Sequence, residues 1–175
     1  MRPALSARTS AAAAAAGLLL LVAARSAQAE SRIKQPGLHP DYHFEAEPHF
    51  MFGVDPPGGK AGRGFGPGFR GTVELVDNGF ITSINNTVGI GFGFDWIAFS
   101  HKSTSVWVPV VMQWNFWLSE HWSVFGEPGF GFYLGNATGV RGVGAVGVRL
   151  HFNDTIALTL RAGYPAFSAG LSFLL

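Results

Sequence analysis

The sequence of 175 residues contains no cysteine. A disulfide framework, a thiolate metal site and a cysteine nucleophile are therefore excluded. Charged residues are also scarce, at 13% of the chain, whereas an ordinary soluble domain carries roughly 25%. The 12 basic residues nearly balance the 11 acidic ones and form no basic patch, which argues against nucleic acid as a partner. A surface so poor in charge requires a solvent other than water, or a covering partner.

No apolar run is long enough to cross a bilayer as a helix, because such a helix needs about 20 residues. The longest run, over residues 11–24, is preceded by arginines and followed by Ala27-Gln28-Ala29, a small-x-small cleavage pattern. We interpret residues 1–29 as a cleaved secretory signal peptide rather than a membrane anchor.

The rest of the sequence shows strict alternation. The stretch HFEAEPHF, residues 43–50, has an ionisable side chain at every odd position and an apolar residue at every even position. Period two is typical of a β-strand whose two faces meet different surroundings. Similar segments recur along the chain, and we predict eight strands at 41–53, 64–76, 87–100, 106–118, 122–134, 140–152, 155–164 and 166–175.

Segments of this length match transmembrane strands, which need roughly 9 to 11 residues each. In lipid, an open sheet edge leaves backbone groups without hydrogen bonds, so such strands must close into a barrel. The predicted fold is therefore all-β: an eight-stranded antiparallel up-and-down transmembrane β-barrel over residues 41–175. Residues 30–40 are expected to form a flexible periplasmic stub. The connections at 77–86, 119–121 and 153–154 are expected on the periplasmic side.

Two further expectations concern aromatic residues and proline. Aromatic residues near the strand ends are expected to form interfacial girdles: Tyr42, Trp96, Trp107, Trp117, Trp122, Tyr133 and Tyr164. Because proline removes a donor from the strand ladder, bulges or bends are expected at four positions: Pro48, Pro67, Pro109 and Pro128.

The chain resembles the small bacterial outer-membrane β-barrel proteins of the OmpA/OmpX/OmpW type. The resemblance rests on the signal peptide, the alternating strands and a last strand ending Gly170-Leu171-Ser172-Phe173-Leu174-Leu175. It implies a location in the bacterial outer membrane, among lipids that include lipopolysaccharide. It also implies assembly by periplasmic chaperones and by the barrel-assembly machinery, which reads the C-terminal aromatic strand. Nothing in the sequence sets an oligomeric state.

The inward faces of the predicted strands carry acids and arginines in nearly equal numbers. An eight-stranded barrel is just wide enough for side chains to fill it, and a buried charge is tolerated only when it is paired. We therefore predict a salt-bridge network in the lumen, with glycines making room for the arginines and with His43, His49 and His151 beside it. Its members are Glu45, Glu47, Arg70, Glu74, Asp95, Glu127, Arg141, Arg149 and Arg161.

Catalytic and metal sites are not expected. His43 and His49 lie about 20 Å apart along one strand, too far to share a metal ion, and no cofactor motif is present. Ser100 and Ser103 beside His101 are the available catalytic candidates, but no motif of a barrel enzyme accompanies them.

The sequence thus predicts a non-enzymatic outer-membrane barrel with a structural role in the envelope or a modest permeability to small solutes. Two alternatives remain. A secreted lipocalin-like barrel would bind an apolar ligand inside and expose its polar face, and a lipid-modifying barrel enzyme would need a Ser/His/acid cluster at its outer rim. A water-facing sheet should be rich in lysine, but Lys34, Lys60 and Lys102 all lie outside the predicted strands, which favours the membrane barrel.

Overall fold

The structure is a computed structural model that describes residues 31–54, 62–100, 103–135 and 137–175. The predicted signal peptide lies outside the described residues. No helix among the described residues is long and apolar enough to cross a membrane. The eight strands are β1 (Phe44–Val54), β2 (Arg63–Val76), β3 (Asn86–Phe99), β4 (Ser103–Trp117), β5 (Trp122–Gly135), β6 (Gly139–His151), β7 (Ile156–Tyr164) and β8 (Ala166–Leu174).

Each strand pairs antiparallel with the next along the chain, and β1 pairs with β8 to close the barrel. The predicted fold class, an eight-stranded antiparallel up-and-down barrel, is confirmed. The predicted strand boundaries also agree with the structure to within three residues at every end. The agreement follows from the strict period-two pattern, because a slip of one residue would move every apolar side chain to the other face.

The two faces of the barrel wall have opposite chemistry. Glu45, Glu47, Glu127 and Arg149 point inward, and each is only 1% exposed. Large apolar side chains occupy the outer face and are about half exposed. They include Phe50, Phe52, Phe65, Phe92, Phe94, Trp96, Phe130, Phe132, Val146, Leu160 and Phe167. The polar and apolar parts are thus inverted relative to a water-soluble domain.

The two ends of the barrel differ in their connections. At the end called here the base, strands are joined by residues 77–85, 118–121 and 152–155, and the chain enters β1. At the opposite end, the upper rim, they are joined by 55–62, 100–102, 136–138 and Pro165 alone.

The expectation of bulges at the four prolines is wrong. At Pro48 the β1–β8 pairing passes from Ala46 to His49 without a change of register, and the β1–β2 pairing continues through the proline. The other three prolines behave in the same way. Successive strand residues direct their backbone groups to opposite neighbours, so a missing N–H interrupts the ladder on one side only. The register shift that does occur lies between Glu74 and Val76.

The N-terminal segment, residues 31–40, is packed against the base and is not the flexible stub expected. The backbone N–H of Asn85 donates to Ile33 O at 2.8 Å, and its side-chain amide donates to Leu38 O at 2.8 Å. The ring of His39 stacks on Trp117 with centroids 5.5 Å apart, and its side chain is 2% exposed. Composition alone did not reveal this, because the partners lie more than 45 residues away in sequence.

Three of the seven residues expected in aromatic girdles lie inside the barrel instead. Trp107, Trp117 and Tyr42 are at most 5% exposed. Both tryptophans share a face of β4 with Gln113 and Asn115, which also point inward. The face of the strand therefore predicts whether an aromatic residue points into the barrel better than its distance from the strand end does. Burial raises the pKa of the Tyr42 phenol.

We predict that Trp117→Ala will release the N-terminal segment, because it removes the ring on which His39 stacks. Hydrogen exchange should show faster exchange of the amides of residues 31–40, with the strands still protected. Trp96→Ala is the matched control, since Trp96 is on the outer wall and 43% exposed. Equal exchange in both variants would contradict the packing described for this segment.

Candidate functional site

The lumen contains two clusters of charged side chains stacked along the barrel axis. In the lower cluster, Nη2 of Arg149 on β6 donates to both carboxylate oxygens of Glu45 on β1, at 2.7 and 2.8 Å. Ser172 on β8 donates its hydroxyl to Glu45 at 2.7 Å, and Nη1 of Arg149 donates to Asn115 on β4. Four strands are thereby joined across the barrel by one arginine–glutamate pair.

The upper cluster is centred on Arg161 of β7. This guanidinium donates two parallel hydrogen bonds of 2.8 Å to Glu47 on β1 and a third, also 2.8 Å, from Nε to Glu127 on β5. Arg70 on β2 lies 3.6 Å from Glu127 and 3.3 Å from Asp95 on β3. Bidentate arginine–carboxylate pairs are the strongest ion-pair geometry in proteins.

His49 completes the upper cluster. Its Nε2 is 2.9 Å from Asp95, and its Nδ1 is 3.4 Å from Glu47. A carboxylate beside each ring nitrogen suits the doubly protonated imidazolium, which donates from both nitrogens. The two clusters hold four carboxylates and three arginines, so a charged His49 makes the lumen electrically balanced.

Neutral side chains link the two clusters. The amide of Gln113 donates to Glu127 at 3.0 Å and accepts from Asn115 at 3.2 Å. The ring of Phe125 lies between the two arginines, 4.2 Å from the guanidinium of Arg149 and 5.2 Å from that of Arg161. Sequence reasoning missed the role of Phe125, although its odd number places it on the same face of β5 as Glu127.

Glycine supplies space at two points of this network. A side chain at Gly68 would collide with the His49–Asp95 pair, and one at Gly147 would collide with the Phe125 ring. The sequence predicts that glycines make room for the arginines, but at these two positions the space is taken by His49 with Asp95 and by the Phe125 ring. A side chain at Gly68 would displace His49 from Asp95. A side chain at Gly147 would displace the Phe125 ring from the two arginines that it contacts.

Two residues predicted for the network are not part of it. Arg141 is exposed at the upper rim, where it donates to the Tyr164 hydroxyl at 3.2 Å and lies over the Tyr133 ring at 5.5 Å. Glu74 is half-buried near the base, and it makes none of the ion pairs found among the described residues. Both residues occupy strand positions whose side chains alternate toward the lumen. Arg141, however, lies above the level of the paired charges, and Glu74 lies below it. The structure brings the other seven predicted residues together.

Both ends of the lumen are filled. Above the upper cluster, Met51, Ile97, Phe99 and Ala166 form an apolar cluster, and Trp107 packs against the rings of Tyr133 and Tyr164 at centroid distances of 5.2 and 5.6 Å. Below the lower cluster, Tyr42, Trp117 and Leu174 form a second one. A cavity of about 30 Å³ beside Asp95 and Arg70 has room for only one or two waters.

Among the described residues, no group of three His, Cys, Asp or Glu side chains could hold a metal ion. The proposed Ser/His cluster at the upper rim depends on His101, which lies outside the described residues. Each of the four carboxylates of the network accepts a hydrogen bond from an arginine.

The sequence matches no family model and no curated protein. Solved structures similar in fold include a crystal structure of Ail, the attachment invasion locus protein of Yersinia pestis, with 14% identity, a TM-score of 0.48 and coverage of 76% of this chain and 100% of that chain. A structure of Ail in a phospholipid bilayer nanodisc has 13% identity, a TM-score of 0.44 and coverage of 75% and 99%. This likeness concerns architecture alone, and the strand pairing of the present chain establishes the fold.

We predict that Arg161→Met will lower the free energy of unfolding by about 3–5 kcal/mol, because it leaves Glu47 and Glu127 buried without their main cation. Urea titration in phospholipid vesicles, followed by tryptophan fluorescence, would measure this. Arg63→Met removes an exposed arginine at the upper end of β2 and should leave the midpoint unchanged.

A further variant keeps the test decisive if Arg161→Met does not fold. Adding Glu47→Gln and Glu127→Gln removes the unpaired charges and should restore folding. Equal midpoints for Arg161→Met and Arg63→Met, or no restoration by the two glutamines, would contradict the network as a source of stability.

Proposed function

We propose that this protein is a non-enzymatic integral barrel of the bacterial outer membrane, with a structural role in the envelope and a closed lumen. The observation that carries the proposal is the inversion of the wall: apolar side chains cover the outside, whereas charged side chains are paired inside. A closed barrel has no open sheet edge, which is the condition for β-structure in lipid.

The outer wall supports a membrane location over a secreted barrel. A lipocalin-like protein binds an apolar ligand within an apolar lumen, but here the centre of the lumen is lined by glutamate and arginine. Its outside would have to be water-compatible, yet Phe65, Phe130 and Val146 are each more than 60% exposed. Water-soluble monomers rarely expose apolar patches of such extent.

The filled lumen favours a structural role over solute permeation. A solute would have to displace the aromatic residues at both ends and break the arginine–glutamate pairs between them. Breaking a buried pair costs about 3–5 kcal/mol, and the upper cluster holds several such contacts. Of the two roles predicted from the sequence, modest permeability is therefore the less favoured.

Assembly partners and lipids follow from the same proposal. A barrel of this kind would reach the outer membrane with periplasmic chaperones and insert through the barrel-assembly machinery. Strand β8 carries Phe167, Leu171 and Phe173 at alternate positions on its outer face, a pattern that supports recognition by that machinery. Outer-membrane lipids, including lipopolysaccharide, would then cover the apolar wall.

The location is tested by expressing the full chain in a Gram-negative host, isolating outer membranes, and comparing the gel mobility of boiled and unboiled samples in SDS. We expect the protein in the outer-membrane fraction, with mobility that changes on heating because a closed barrel resists SDS until it is heated. A soluble product with unchanged mobility would favour the lipocalin-like alternative.

A second measurement separates the structural role from permeation. We predict that the purified protein in a planar lipid bilayer will give no resolved conductance steps, because the lumen is filled by paired charges. A double variant, Trp107→Ala with Arg161→Ala, removes one end closure and the central cation and is the positive control for a partly emptied lumen. Regular conductance from the unmodified protein would show that solutes pass.

A further inference from the structure

The outer wall has a wide groove where large side chains are missing, and a smaller groove of about 440 Å³ lies over β1 and β8. A groove of about 800 Å³ crosses strands β5 to β8, between Phe116 and Phe167. Gly126, Val146 and Ala162 lie in register across its floor. The rest of the outer wall carries many large aromatic side chains, so this groove interrupts an otherwise bulky surface.

The groove continues toward the upper rim along β6. The outward positions above Val146 are Gly144 and Gly142, so the strand has no side chains there. Phe130 and Phe132 on the neighbouring β5 are 65% and 51% exposed and form a ridge along one side. The result is a strip one strand wide, open to the surroundings and bordered by phenylalanine rings.

Barrel packing does not require these glycines. A side chain added at Gly126 or Gly142 would meet no heavy atom within 4 Å, and one at Gly144 would meet only Glu127 O, at 3.9 Å. By contrast, a side chain at Gly163 on β7 would collide with the backbone of Gly144. The free space along the outer face of β6 therefore points to an occupant outside the barrel wall.

The dimensions of the strip suit one hydrocarbon chain. From Gly142 to Val148 the strand rises about 20 Å at 3.3 Å per residue. With the usual strand tilt of 35–45° this corresponds to a depth of roughly 15 Å, which is half of the ~30 Å hydrocarbon core of a bilayer. Since the phenylalanine ridge stands above the glycines, a flat sheet from a second barrel cannot reach the floor, whereas a single flexible chain can.

An exposed cation lies at the upper end of the strip. Arg141, the residue before Gly142, contacts the Tyr164 hydroxyl and the Tyr133 ring. Arginine binds phosphate through charge-assisted hydrogen bonds, and tyrosine hydroxyls can add to them. Charge at the rim and an apolar strip beneath it together match a lipid with a phosphate headgroup.

We propose that β6 forms a binding site for one phosphate-bearing membrane lipid, whose headgroup contacts Arg141 and whose acyl chain lies over Gly142, Gly144 and Val146. This inference rests on the proposed membrane location and adds a specific partner to it. The lipid would belong to the leaflet on the side of the upper rim. Arg141, predicted for the lumen network, thereby has a role of its own at the rim.

The test is native mass spectrometry of the full-length barrel in neutral detergent, titrated with dimyristoyl phosphatidic acid or with dimyristoylglycerol, which has the same chains without phosphate. We expect the unmodified protein to retain one phosphatidic acid, with about tenfold weaker retention of the glycerol lipid, as expected from loss of charged hydrogen bonds. Gly144→Leu should reduce retention of both lipids, because it fills the strip. Arg141→Gln should reduce retention of phosphatidic acid alone.

Matched controls lie on other parts of the wall. Ala98→Leu adds the same kind of side chain to the outer face of β3, and Arg63→Gln removes an exposed arginine at the upper end of β2, across the barrel. Neither should change lipid retention. Equal losses in the control and test variants, equal retention of the two lipids, or a dimer that Gly144→Leu abolishes would overturn the proposed site.

Failure of this inference is distinguishable from failure of the proposed function. Each variant is first fractionated and tested for heat-dependent mobility in SDS, as described above for the unmodified chain. A protein that is absent from the outer membrane contradicts the membrane location. A heat-modifiable outer-membrane barrel that retains no lipid contradicts the lipid site alone.

Discussion

The structure depends on one constraint: a charge inside a narrow barrel must have a partner within hydrogen-bonding distance. An eight-stranded barrel leaves no aqueous channel in which a carboxylate could stay hydrated. Arg161 meets this constraint by contacting Glu47 and Glu127 on two other strands, and Arg149 does so by contacting Glu45. The same contacts tie β1 to strands far from it in sequence, so pairing of charge and closure of the barrel support each other.

The inverted wall follows from where apolar surface can be placed. The polar lumen offers little room for a large apolar core, and the small apolar clusters at its two ends consist of a few side chains each. Most phenylalanine and valine side chains therefore face outward, which supports the proposed lipid environment. Backbone pairing between neighbours holds the wall together. The prolines are compatible with it because each interrupts the ladder on one side only.

The two ends of the lumen are closed by different parts of the chain. At the base, the segment before β1 folds back and places His39 on Trp117, so chain outside the strands contributes to sealing the lumen. At the upper rim, Trp107 is covered by Tyr133 and Tyr164. Arg141 contacts the same two tyrosines, 3.2 Å from the Tyr164 hydroxyl and 5.5 Å from the Tyr133 ring. A residue on the inward-facing side of a strand can thus be exposed when it lies at the rim.

The sequence by itself determined the strands, their order and the faces of most residues, because period-two alternation is a local property and an even number of such strands in lipid must close. Of the nine charged residues that it predicted for the lumen network, the structure brings seven together. Only the tertiary structure decided which arginine meets which glutamate, because those partners are up to 114 residues apart. It likewise decided that residues 31–40 pack on the base, that Trp107 and Trp117 point inward, and that Arg141 stays at the rim. These features depend on height along the barrel axis and on contacts across it, which alternation does not encode.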